Sequence, residues 1–231
     1  MTAAGGPMAH VRAHEEETGM TDDRNTRTTA HFLDPAEVTG AAQAEFDADL
    51  AELGFVMNAV RLWAYQPETY RSLLGLMSQV ASVAPFSFRQ RGILVLASVS
   101  ALGDSYCSLA WGTKLAGRFG AEAPGGILRG EDETLSKPER VMAAWARQVT
   151  RNPNGTTASD VGALREAGFS DPDIFAMTVY IALRLALATV NDALGACPDA
   201  EYLTRAPAAV LDSITYGRPI GGTGTAALRF P

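Results

Sequence analysis

Residues 145–195, WARQVTRNPNGTTASDVGALREAGFSDPDIFAMTVYIALRLALATVNDALG, decide the fold. The segment RNPNGTT, 151–157, is turn chemistry between two helical patterns. Thr157 with Asp160, and Ser170 with Asp173, stand three apart ahead of apolar residues, the spacing of a capping box. Residues 174–190, IFAMTVYIALRLALATV, form the longest apolar run. Arg184 interrupts it and it falls short of a clean membrane span, which predicts a buried core helix. Gly195 and Pro198 close that helix.

The helical reading extends in both directions. Asp34 and Pro35 suit the N-cap and first position of a helix over DPAEVTGAAQAEFDADLAEL, ended by Gly54. RLWAY runs into Pro67, which opens PETYRSLLGLMSQVA, and Pro85 breaks it. FRQRGILVLASVSAL, 88–102, is too apolar for a surface helix. Gly103 ends it, and Asp104 can cap SYCSLAWGTKLAGRFG. APGGILRGEDET, 123–134, reads as a Gly-rich acidic loop between the two halves, after which KPERVMAAWARQVT is helical again. PAAVLDSITYG is a last amphipathic piece. No alternating strand pattern occurs. The expectation is all-α, with about seven to nine helices over 32–220, a disordered tail at 1–31 and an irregular tail at 221–231. Met20 is an alternative start.

Composition excludes several functions. The 231 residues are 47% apolar and 19% charged, enough to bury a core without metal or disulfide support. The net charge is −7 and only two lysines are present, Lys114 and Lys137, which argues against nucleic acid. No apolar leader opens the chain, so a cytoplasmic protein with no membrane anchor is expected. The two cysteines, Cys107 and Cys197, make no disulfide framework. His10 and His14 lie in the tail and His31 at its edge, so the helical body holds no histidine and no Ser-His pair for Ser105 or Ser108. Glu131, Asp132 and Glu133 lack the spacing of a calcium loop, and no nucleotide-binding or hydrolase-elbow motif occurs. No metal and no cofactor are expected.

The helix that ends in a small-residue break before Tyr106 and Cys107, the segment 145–195 quoted above, and SITYGRP at 213–219 together resemble the AhpD-like, or carboxymuconolactone decarboxylase-like, family over residues 32–220. The resemblance implies an AhpD-like multi-helix fold and assembly as a homo-oligomer. Redox members of the family carry E-x11-C-x-x-C-x-x-x-H, and those positions here read Gly92, Asp104, Cys107 and Trp111. Only the second cysteine remains. The relay acid, the relay histidine and the resolving thiol are replaced.

Asp104, Cys107 and Trp111 share one helical face, spaced three and four apart. Three functions follow. Cys107 can act as a peroxidase-type thiol with an external thiol reductant. Asp104 can act as acid or base on a small molecule in a decarboxylase, isomerase or lyase, with Cys107, Trp111 and Tyr106 as pocket walls. Or the chain can be a silent binding or oligomeric member, with Asp104 a helix cap and Cys107 and Trp111 core packing. An ionised Asp104 one turn away opposes a thiolate at Cys107, and Arg89, Arg91 or Lys114 would have to fold over the site to compensate. Arg184, in the apolar helix, requires a partner, with Asn191 and Asp192 nearby on that helix: a structural ion pair, an inter-helix or an inter-subunit contact is expected ahead of a substrate anchor, although a pocket arginine suits a carboxylate ligand.

Overall fold

The computed structural model describes residues 1–2, 30–84 and 86–222. Most of both expected tails, with His10, His14 and Met20, lies outside the described residues. Eleven α-helices and no strands are present among them, and eight of the helices have seven or more residues. They are α1 Gly40–Leu53, α2 Asn58–Trp63, α3 Pro67–Val83, α4 Phe88–Leu102, α5 Ser105–Phe119, α6 Glu122–Arg129, α7 Lys137–Arg151, α8 Ala158–Glu166, α9 Asp171–Ala193, α10 Tyr202–Arg205 and α11 Ala208–Leu211.

Local chemistry sets most boundaries. Complete capping boxes open α4 (Ser87 with Gln90), α7 (Ser136 with Glu139), α8 (Thr157 with Asp160) and α9 (Ser170 with Asp173). Two expectations are corrected. α1 starts at Gly40, not at Asp34-Pro35, because the Thr39 hydroxyl accepts the Ala42 amide at 3.2 Å and leaves residues 34–39 non-helical. The segment at 123–134 is not all loop, since α6 runs through Gly125 and Gly126. A Cβ on Gly125 would sit 2.6 Å from the Ala209 carbonyl, and one on Gly126 2.7 Å from that of Glu131. Close packing requires those glycines, and tertiary contacts override their low helix propensity.

α4 runs through the centre, against α5, α6, α7 and α9. Its Ile93, Leu94, Val95, Leu96, Ala97 and Val99 are fully buried. Truncating Ile93 or Leu96 to Ala would cost about 2–5 kcal/mol. α9 is long and apolar enough to cross a membrane by length and hydropathy, but it packs on α3, α4 and α7 and buries Met177, Ile181 and Ala188 there. The chain reverses between α4 and α5 through Gly103 in the left-handed region (φ 84°), which sets the buried first turn of α5 inside the bundle.

Candidate functional site

The site is built at that reversal. The Asp104 amide donates to the Val99 carbonyl at 2.9 Å, which fixes the corner. Asp104 Oδ1 then accepts the Cys107 amide at 2.9 Å, so Asp104 is the N-cap of α5. It is more than a cap. The residue is wholly buried, and its second oxygen, Oδ2, has no hydrogen-bond partner among the described residues. Burial raises its pKa above the ordinary carboxyl value, opposed by the Cys107 amide and the Arg184 charge.

Cys107 lies beside this carboxyl, buried and free of any disulfide. Burial first, then the Asp104 charge, push its thiol well above the usual range, and Arg184 opposes both.

Arg184 comes from α9. Of the contacts expected for this buried charge, the chain supplies an inter-helix one rather than an ion pair. Among the described residues no carboxylate lies within ion-pair reach. Its Nη1 meets only the Met77 sulfur at 3.7 Å, and its Nε has no partner. The guanidinium instead lies over the Trp111 ring, 5.3 Å from the centroid. Asn191 does not serve Arg184, since its Oδ1 accepts Trp63 Nε1 at 2.9 Å and ties α9 to α2. Asp192 is half-buried and electrostatically linked to Asp104. Burial, then the Asp104 charge, push its carboxyl up to about 7, against the pull of Arg218.

The structure therefore brings Asp104, Cys107, Trp111, Arg184 and Asp192 together. It turns Tyr106 away from them. The Tyr106 hydroxyl donates to Asp199 Oδ2 at 2.6 Å and accepts the Ala59 amide at 3.0 Å, and its ring packs with Ala59, Leu62 and Ala196. Asp199, pushed up to about 6 by burial, lines a cavity of about 220 Å³ with Asn58, Arg61 and Cys197. A larger open groove of about 500 Å³ runs past Thr39, Tyr65 and Glu68. Neither is lined by Cys107. Among the described residues, no three His, Cys, Asp or Glu side chains stand close enough to share a metal ion.

The position that the AhpD-like motif gives to its relay acid is closed to a side chain. A Cβ on Gly92 would lie 2.6 Å from Leu115 Cδ1, in space the buried Leu115 fills. Trp111, at the histidine position, stacks on Phe88 at 5.8 Å. Neither Arg89 nor Lys114 covers the site, since they pair with Glu139 and Glu52.

Sequence reasoning missed the strap formed by Tyr216, Gly217 and Arg218. Ser108 and Tyr216 share a hydrogen bond at 3.0 Å. Ser105 donates to the Arg218 carbonyl at 2.8 Å, and Arg218 Nη2 donates to the Asp192 carbonyl at 2.8 Å. Gly217 (φ 73°) sits where a Cβ would be 2.7 Å from both the Gly103 carbonyl and Ser105 Oγ. The only signal was the glycine in SITYGRP. His31, set aside with the tail, is buried, while the flanking Phe32 amide donates to the Leu194 carbonyl.

No protein-family model matches the chain, and no curated protein matches it. Solved structures do. An uncharacterized peroxidase-related protein from Silicibacter sp. TM1040 is 22% identical, with a TM-score of 0.68 over 82% of this chain and 100% of its own. An uncharacterized peroxidase-related protein with an alkylhydroperoxidase AhpD core, from Ralstonia eutropha JMP134, is 18% identical, with a TM-score of 0.65 over 77% and 96%. The debrominase Bmp8 is 18% identical, with a TM-score of 0.63 over 83% and 99%. The chain has the all-α AhpD-like fold.

Proposed function

We propose that the protein is a thiol-dependent oxidoreductase that reduces a small molecule of the hydroperoxide type through Cys107, with an external dithiol as reductant. One observation carries this reading: Cys107 stands beside a buried carboxyl with a free oxygen, and the charge of a buried guanidinium, with no carboxylate partner among the described residues, acts on its thiol. Asp104 takes the thiol proton, and Arg184 holds the thiolate by charge. The sulfur attacks the terminal hydroperoxide oxygen, an S–O bond forms and the O–O bond breaks. The departing alkoxide takes the proton from Asp104, leaving an alcohol and a sulfenic acid at Cys107. One thiol of the reductant displaces water from the sulfenic sulfur, and its second thiol releases Cys107. Cys197 faces different neighbours, which is why the reductant is external. Because Cys107 is buried, turnover includes local opening around it.

Two solved neighbours described as peroxidase-related, and a third described as a debrominase, support chemistry of this class. The test is consumption of cumene hydroperoxide with dithiothreitol. Activity lost in Cys107→Ser and kept in Cys197→Ser supports the reading, and equal activity in Cys107→Ser overturns it. The raised Asp104 and Asp192 carboxyls favour a second reading, a proton-transfer enzyme of isomerase, lyase or decarboxylase type with Cys107 as wall. That enzyme would keep its activity in Cys107→Ser and lose it in Asp104→Asn. We also propose self-association, supported by the exposed apolar side chains Leu76 and Val83 on α3 and Phe175 on α9.

A further inference from the structure

Arginines and aromatic rings form a continuous cluster running outward from Cys107. Arg184 lies over Trp111, and Trp111 stacks on Phe88. Arg118 lies 4.2 Å and Arg91 5.8 Å from the centroid of that Phe88 ring. The next arginine along, Arg89, is neutralised by Glu139 at 2.6 Å. Arg91, Arg118 and Arg184 have no such carboxylate among the described residues. In a chain of net charge −7, three uncompensated guanidiniums around one pair of stacked rings are not a by-product of composition.

Two of their donors are also unused. Nε of Arg184 and Nε of Arg91 are both buried without a hydrogen-bond partner, and Arg184 is only 6% exposed. A buried donor left unpaired costs about 1–3 kcal/mol, more when it is charged. The two guanidiniums act on a common neighbour: both pull down the pKa of Tyr180, which burial raises. The rings stack on one another, with Phe119 also on Phe88 at 6.3 Å, so the cluster offers positive charge and planar donor forks beside an aromatic stack, and it lacks an acceptor.

We propose that this cluster binds the anionic group of a small aromatic carboxylate, whose carboxylate takes the free donors of Arg184 and Arg91 and whose ring packs beside the Trp111–Phe88 stack. Guanidinium matches carboxylate in planar, charge-assisted pairs, and the aromatic stack supplies apolar contact beside them. The role of this ligand as substrate rests on the proposed reaction at Cys107. Its binding does not.

The experiment is isothermal titration of the Cys107→Ser protein with benzoate and with benzamide, its neutral counterpart. This protein cannot carry out the thiol reaction, so binding is read apart from turnover. Benzoate is expected to bind at least tenfold more tightly than benzamide. Arg184→Gln is expected to weaken benzoate at least tenfold and Arg91→Gln several-fold, with benzamide unchanged. Arg91 is only partly buried, so its variant tests the proposal even where Arg184→Gln fails to fold. Equal binding of the two probes, absence of benzoate binding, or benzoate binding unchanged in Arg91→Gln would each overturn it.

Discussion

Asp104→Asn separates the two roles of Asp104, cap and charge. Asparagine is as good an N-cap as aspartate, so the bond to the Cys107 amide and the start of α5 are retained. The charge beside the sulfur is removed. A unit charge about 5 Å away at an effective dielectric of about 20 contributes about 3 kcal/mol, or roughly two pK units. The Asp104 charge raises the Cys107 pKa, so its removal lowers it, and Arg184 then acts unopposed. The assay is the pH dependence of iodoacetamide alkylation in a Cys197→Ser background. The parent should titrate above the free-thiol value of about 8.5. Asp104→Asn should fall by about two units, and Arg184→Gln should move the other way. An apparent pKa that stays put or rises in Asp104→Asn would refute the placement of this charge against the sulfur.

Three further outcomes follow from the geometry. Gly217→Ala forces a side chain into the left-handed region and against Gly103 and Ser105, so the urea midpoint should drop by the equivalent of about 1–3 kcal/mol; an unchanged midpoint would mean the strap is not seated. Asp192 binds its proton more tightly folded than unfolded. Its contribution is therefore most favourable below pH 4 and is lost as pH rises toward about 7, and Asp192→Asn should flatten the stability profile across that window. Phe175→Asp, at an exposed apolar position on α9, should shift sedimentation toward the monomer, and a monomeric parent would contradict self-association.

Much of the fold was legible because its punctuation is local. Ser170 with Asp173, Thr157 with Asp160, and the Gly103–Asp104 break each act within one helical turn, and the structure uses them as the sequence suggests. Where long-range packing decides, the sequence was silent or misleading. α6 passes through two glycines because backbone carbonyls from elsewhere press against it. Asp34-Pro35 has good helix-start chemistry and lost to Thr39. In the site, the one-face spacing of Asp104, Cys107 and Trp111 was readable, since it belongs to one helix. The lack of an Arg184 carboxylate partner, the turning of Tyr106 toward Asp199, and the strap over Ser105 and Ser108 join residues tens of positions apart. No local pattern encodes them.

In the proposed reaction Cys107 is the reacting thiol and Asp104 its proton acceptor. The most direct test treats the protein with one equivalent of cumene hydroperoxide in the presence of dimedone and maps the adduct by mass spectrometry. A sulfenic adduct is expected at Cys107, absent from Cys197, that forms markedly more slowly in Asp104→Asn at neutral pH despite the lower thiol pKa of that variant. An unmodified Cys107, or one trapped equally fast without the Asp104 carboxylate, would contradict it.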